Sequence, residues 1–240
     1  MLKILPSTKW GWVRAGMLFA AAAGVLFWLY GLPWLRVARY EPQEGDVVFQ
    51  SLPHVDLVDA IEGISGSPYS HCGLVVREGV EWKVLESIGS VHETPLYQWA
   101  QRGRASGFAA YRLTEDRRSK VPAFIAEARK FLGRAYDFRY RMDDEFIYCS
   151  ELVWKAWKNA TGEEMGKLVK LGSLNWKPHE ATIRKYEQMM RPAEPEPSYG
   201  DYDGLERLAK EPDLPVERMM ITPKALSEAP QLREVYRSGI

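Results

Sequence analysis

Cysteine is scarce in this chain: 240 residues contain two, Cys72 and Cys149. Two cysteines cannot build a disulfide framework, and their spacing is neither that of a zinc ribbon nor that of a CxxC redox pair. Net charge is missing as well, since 32 Lys+Arg balance 32 Asp+Glu. With no basic excess and no Lys/Arg block, the chain lacks the electrostatic footprint of a nucleic-acid binder. His54, His71, His92 and His179 fall into no HExxH or HxxxH pattern, so neither a metal site nor a cofactor is expected. What is present is a composition 46% hydrophobic and 12% aromatic. That suffices for one good-sized domain with attachments.

Charge is absent from one more place. Residues 15–35 read AGMLFAAAAGVLFWLYGLPWL, long enough to cross a bilayer core as a helix. Lys3, Lys9 and Arg14 precede this run, Arg36 and Arg39 follow it, and Trp10, Trp12, Trp28, Tyr30 and Trp34 sit near its ends, where amphipathic rings favour the headgroups. A buried core helix is not normally apolar all round. A cleaved signal peptide has a shorter hydrophobic region than one that runs on past Ala20–Gly24 to Leu35. The segment is therefore expected to be an uncleaved signal anchor, with residues 1–14 as a basic tail. The flanking charge places the following domain on the periplasmic or extracytoplasmic side, although Arg36 and Arg39 weaken the asymmetry.

Residues 45–240 are expected to form one α+β domain, a mostly antiparallel sheet with helices packed on it. Asp46–Gln50 reads as a strand and Val55–Ile64 as a helix, followed by the loop Gly63–Ser70. His71–Arg77 and Trp82–Ser87 are strands joined across Glu78-Gly79. A helix over Pro95–Arg102, a strand over Phe108–Leu113 and a helix over Val121–Leu132 come next. Cys149–Asn159 is a helix ended by Gly162. Residues 191–213, rich in Pro and acidic residues, read as an exposed loop, and a strand followed by a helix closes the chain around Met219–Tyr236.

Cys149 would begin its helix, where unpaired N–H groups and the positive dipole end stabilise a thiolate. The bland alternative is a structural cysteine, a common buried residue. The hairpin shifts the balance. With a two-residue Glu78-Gly79 turn, Arg77 pairs with Val80, and His71 then faces Glu86 on the same side of the sheet. An imidazole beside a carboxylate is how a base for a thiol is oriented. A three-residue turn would instead pair His71 with Ser87, and a His–Glu pair alone could equally be a surface pair. His92 is an alternative to Glu86. Cys72, adjacent to His71, should point to the opposite face as a core residue, with no disulfide to Cys149. Tyr69, Ser70 and Tyr148 are candidates for lining a substrate cleft, and Asp137 for a turn near it.

GDVVFQ, SPYSHCGLVV, LES, ETPL, GRAYDF, YCSELVWKA and ITPKAL occur in this order between Gly45 and Leu226. Together they resemble the YiiX/YebB-like (YaeF/YiiX) family, permuted papain-fold cysteine hydrolases related to NlpC-type peptidases and lecithin–retinol acyltransferase. The resemblance implies a small barrel-like sheet with the cysteine helix packed against it. It also implies His71 and Cys149 as catalytic, with Glu86 as the acidic partner on the next strand. The implied activity is hydrolysis of an amide or ester through an acyl-thioester. A cell-wall peptide or an N-acyl amino acid would be the substrate. Lipid acyl transfer, or a binding module that keeps the fold, are the alternatives.

Overall fold

The computed structural model describes residues 9–189 and 214–240; the loop expected over 191–213 and most of the basic tail lie outside these. One continuous helical rod opens the described residues. Helix α1 (Lys9–Leu26) passes through a π-helical turn at Phe27–Gly31 into α2 (Leu32–Arg39). The helix is thus longer than the apolar run. Residues Trp10–Arg39 form a segment long and apolar enough to cross a membrane, and none of its apolar window is buried.

Among the described residues, six antiparallel strands form the main sheet, in the order β4-β3-β2-β1-β5-β8. They are β1 (Val47–Gln50), β2 (His71–Glu78), β3 (Glu81–Ile88), β4 (Ser90–Pro95), β5 (Phe108–Leu113) and β8 (Leu232–Ser238). A two-stranded ribbon, β6 (Val169–Lys170) with β7 (Met219–Met220), lies apart from it. The helices are α3 (Asp56–Ser65), α4 (Leu96–Arg102), α5 (Val121–Arg129), α6 (Cys149–Thr161), α7 (Glu180–Met189) and α8 (Pro223–Ser227).

Both faces of the sheet are covered, so β1 is buried along its whole length. Phe49, Cys72, Leu74, Val76 and Leu85 face α5 and α6, meeting Phe124, Leu152, Val153 and Trp157. Val48, Val75 and Val84 face the other way, onto Trp99 of α4, Phe108 and Tyr40. That alternation follows from the pleat.

The β2–β3 hairpin corrects one expectation. Its turn is Gly79-Val80, so Glu78 pairs with Glu81, and Gly73, not His71, lies opposite Glu86. Gly79 has φ +59°, and at the first central position of a two-residue loop that conformation calls for glycine. A Glu78-Gly79 turn would have put a glutamate there. The slip is two residues, which preserves every side chain's face.

Two further elements differ from expectation. Helix α7 is additional, and the closing strand and helix, β7 and the short α8, are followed by a further strand, β8. Opposite β8, Ala110 pairs with Tyr236 but Tyr111 pairs with Glu234, leaving Val235 as an extra residue. This bulge breaks the two-residue period.

Candidate active site

Helix α6 places the thiol. Its N-cap, Tyr148, is extended (φ −99°, ψ 169°), and Cys149 is the first helical residue. Glu151 accepts the Tyr148 N–H at 3.2 Å, and Ser150 Oγ donates to the Ile221 carbonyl at 2.8 Å. The Tyr148 hydroxyl accepts the Ile221 N–H at 3.0 Å and donates to Met142 sulfur at 3.2 Å. The helix start is therefore tied to the Met142 side chain and the Ile221 backbone, and Cys149 is buried there.

Strand β2 places the imidazole. His71 Nε2 lies 2.5 Å from Glu86 Oε2, with both side chains buried. The contact is diagonal across the ladder, and it can close because the residue opposite Glu86 is Gly73. Thr94 Oγ1 donates to Glu86 Oε1 at 2.6 Å, and Arg102 at the end of α4 donates to Oε2. His92, directly opposite Glu86, is 3.8 Å from Oε1, and its Nδ1 lies 2.9 Å from the Ser90 carbonyl. Glu86 is thus the partner of His71, and His92 sits behind Glu86. Thr94 follows from parity on β4; nothing in the sequence marks Arg102.

With Nε2 taken by Glu86, the other ring nitrogen of His71 remains for the sulfur, whose influence raises the His71 pKa. Cys72 also belongs to this site, which corrects the expectation that strand alternation removes it. Cys72 does point away from the His71 face, but α6 packs on the Cys72 face, so both cysteines lie in one core cluster and Cys72 acts on the Cys149 thiol; both are free.

The electrostatics follow from these contacts. The hydrogen bond from Cys72, then that of His71 and its charge, hold the Cys149 thiol well below its usual value against the opposing effect of burial. Burial, and the Cys149 charge after it, push Cys72 well above its own. Burial alone would lower His71, but hydrogen bonds and charges from Cys149 and Glu86 carry it up to about 9. Burial would raise Glu86, yet His71 and Arg102 bring it down to about 2. The arrangement can hold a thiolate–imidazolium pair at neutral pH, the state in which a thiol is a nucleophile.

A cleft opens over Cys149, with about 720 Å³ of empty space counting its solvent-open mouth. Its walls are Leu57, Ile61 and Ile64 of α3, Ile183 and Tyr186 of α7, and Met220–Pro223. Ser70 lines it; its Oγ accepts the Leu52 N–H at 2.9 Å. Tyr69 and Tyr148 do not line it. The Tyr69 ring packs on Phe49 with its hydroxyl 3.3 Å from that of Tyr111, and the Tyr148 hydroxyl is occupied as described. Asp137 is a turn residue, accepting the N–H groups of Arg139 at 2.9 Å and Arg141 at 2.6 Å.

Papain-like enzymes ordinarily carry cysteine before histidine in the chain. Here the histidine strand comes first and the cysteine helix second, around the same antiparallel sheet, which makes the class a circularly permuted thiol hydrolase. The family model of the permuted papain-like amidase enzymes, YaeF/YiiX of the C92 family, matches residues 41–236, and the chain belongs to that family of cysteine hydrolases. The chain is 29% identical over 199 residues to the protein YiiX of Escherichia coli strain K12, covering 82% of this chain and 88% of that protein. It superposes on the crystal structure of metalloprotein yiiX from Escherichia coli O157:H7 with a TM-score of 0.66, at 29% identity, covering 83% of this chain and 99% of that one. That relative is described as a metalloprotein. Among the described residues of the present chain, no three His, Cys, Asp or Glu side chains converge to hold an ion.

Proposed function

We propose that this protein is a membrane-anchored thiol amidase that removes a long acyl chain from an amine, with Cys149, His71 and Glu86 as its catalytic groups. The Cys149 thiolate attacks the amide carbonyl, forming an S–C bond. The first N–H groups of α6 serve as donors to the developing oxyanion. As the C–N bond breaks, the His71 imidazolium gives its proton to the departing amine. Water, deprotonated by His71, then hydrolyses the thioester and releases a fatty acid. Glu86 keeps the imidazole oriented and favours its protonated form, and the domain works on the extracytoplasmic face of the membrane.

The observation that carries the substrate class is the cleft. Over Cys149 its α3 and α7 walls present Leu57, Ile61, Ile64, Ile183 and Tyr186, and hydrocarbon gains about 0.8 kcal/mol per buried methylene. A muropeptide, rich in polar groups, would leave those walls badly matched. N-acyl amino acids therefore fit better than cell-wall peptides. The test is release of fatty acid from long-chain N-acyl amides, with muropeptides alongside, by the wild-type protein and Cys149→Ala. Hydrolysis that survives Cys149→Ala, or a preference for muropeptides, would count against the reading. Added amine acceptors separate hydrolysis from acyl transfer.

A further inference from the structure

The cleft's apolar lining is interrupted by three charged side chains: Arg139, Glu187 and Arg218. Glu187 is buried and lies between the two guanidinium groups. It accepts from Arg139 Nε at 3.0 Å and forms an ion pair with Arg218. Arg218 also donates to the backbone carbonyl of Arg139. Two cations therefore share the Glu187 carboxylate.

Arg139 is held on every side but one. Asp137 fixes its backbone N–H, and Arg218 fixes its carbonyl. The preceding Phe138 stacks on Tyr186 of α7, with ring centroids 5.6 Å apart and planes 7° from parallel. Glu187 takes its Nε. The two Nη groups have no partner among the described residues. A guanidinium fixed in this manner presents donors spaced for both oxygens of a carboxylate. The apolar surroundings strengthen such a contact.

We infer that Arg139, positioned by Glu187 and Arg218, binds the free carboxylate of the amine half of the substrate, making the enzyme selective for N-acyl amino acids over neutral N-acyl amines. This rests on the proposed amidase reading for its reaction, but the carboxylate site itself stands on the cleft geometry.

The experiment compares N-dodecanoylglycine with its methyl ester, which keeps the chain and the amide and removes the charge. Wild-type kcat/KM should favour the acid by about tenfold to a hundredfold, the range for a hydrogen-bonded charge pair. Arg139→Gln should bring the acid-to-ester ratio near one, chiefly through KM. Arg139→Lys, which keeps the charge without the fork, should fall between. Binding of the same two compounds to Cys149→Ser, measured calorimetrically, needs no turnover and covers the case in which Arg139→Gln fails to fold. Turnover or binding without preference for the acid overturns the carboxylate site. Preferential binding of the acid with no hydrolysis by wild type leaves the site standing and defeats the amidase reading. Neither binding nor turnover defeats both.

Discussion

At the scale of single residues, the pair Cys149–His71 sets a pH window whose limits follow from sign. The Cys149 thiol lies well below its usual value, so its thiolate is present at neutral pH and is lost only on acidification. The His71 imidazolium, raised to about 9, is lost as the pH rises through that value. Alkylation of Cys149 should therefore stay fast well below the range of an ordinary thiol. On the proposed mechanism, in which the imidazolium protonates the departing amine, hydrolysis should fall on an alkaline limb near pH 9. Cys72 adds a sharper expectation. It is the largest single influence lowering Cys149, so Cys72→Ala should move the acid limb of the alkylation profile upward while leaving Glu86 on His71. An unmoved limb would show that Cys72 only fills space. The sequence could supply the His71–Glu86 pair because parity survives a slip of two. It could not supply Cys72, because which face of the sheet a helix chooses is a tertiary fact.

Elements succeed or fail together around the β2–β3 ladder. A Cβ at Gly73 would stand 2.9 Å from the Leu85 carbonyl and 3.3 Å from Glu86 Cβ, besides meeting Val84. The backbone cannot yield there without moving Glu86. Gly73→Ala should cost about 1–3 kcal/mol of stability, as overpacking does, and should lower activity beyond that loss because His71 loses its diagonal partner. Thermal melting together with kcat at a temperature where both proteins are folded separates the two effects. A stable Gly73→Ala protein with wild-type kcat would mean that the ladder tolerates the methyl without shifting Glu86. The same scale explains what periodicity missed. Leu232, Val235 and Tyr236 recur at helical spacing, yet they belong to β8, where the extra Val235 shifts the alternation. Helix α7 turns only Thr182, Ile183, Tyr186 and Glu187 to the cleft, too sparse a stripe to stand out among its polar residues.

On the scale of the whole molecule, the N-terminal rod has two parts with different surroundings. The 18 residues of α1 measure about 27 Å and begin a segment, Trp10–Arg39, long and apolar enough to cross a membrane. Beyond α1 the rod docks on the domain. Gln101 and Tyr97, one turn apart on α4, donate to the carbonyls of Leu29 at 3.0 Å and Tyr30 at 3.1 Å within the π-helical turn. The Tyr236 hydroxyl donates to the Arg36 carbonyl at 2.8 Å. Tyr40 packs its ring on Phe108 and Tyr236 and donates to Asp46 at 2.6 Å. The same α4 ends in Arg102, on Glu86, so the docked rod buttresses the element that completes the His71 site. Two truncations distinguish the two parts. A chain beginning at residue 27 should leave the membrane fraction yet keep the melting temperature and the hydrolysis of soluble amides. A chain beginning at residue 41 loses α2 and the buried Tyr40, a loss of about 3 kcal/mol or more by analogy with other buried aromatics. At about 2–4 °C per kcal/mol for a domain of this size, it should melt about 6–12 °C lower. Equal melting of the two would reduce the rod to a tether, and membrane retention of the chain beginning at residue 41 would place the anchoring surface on the domain itself.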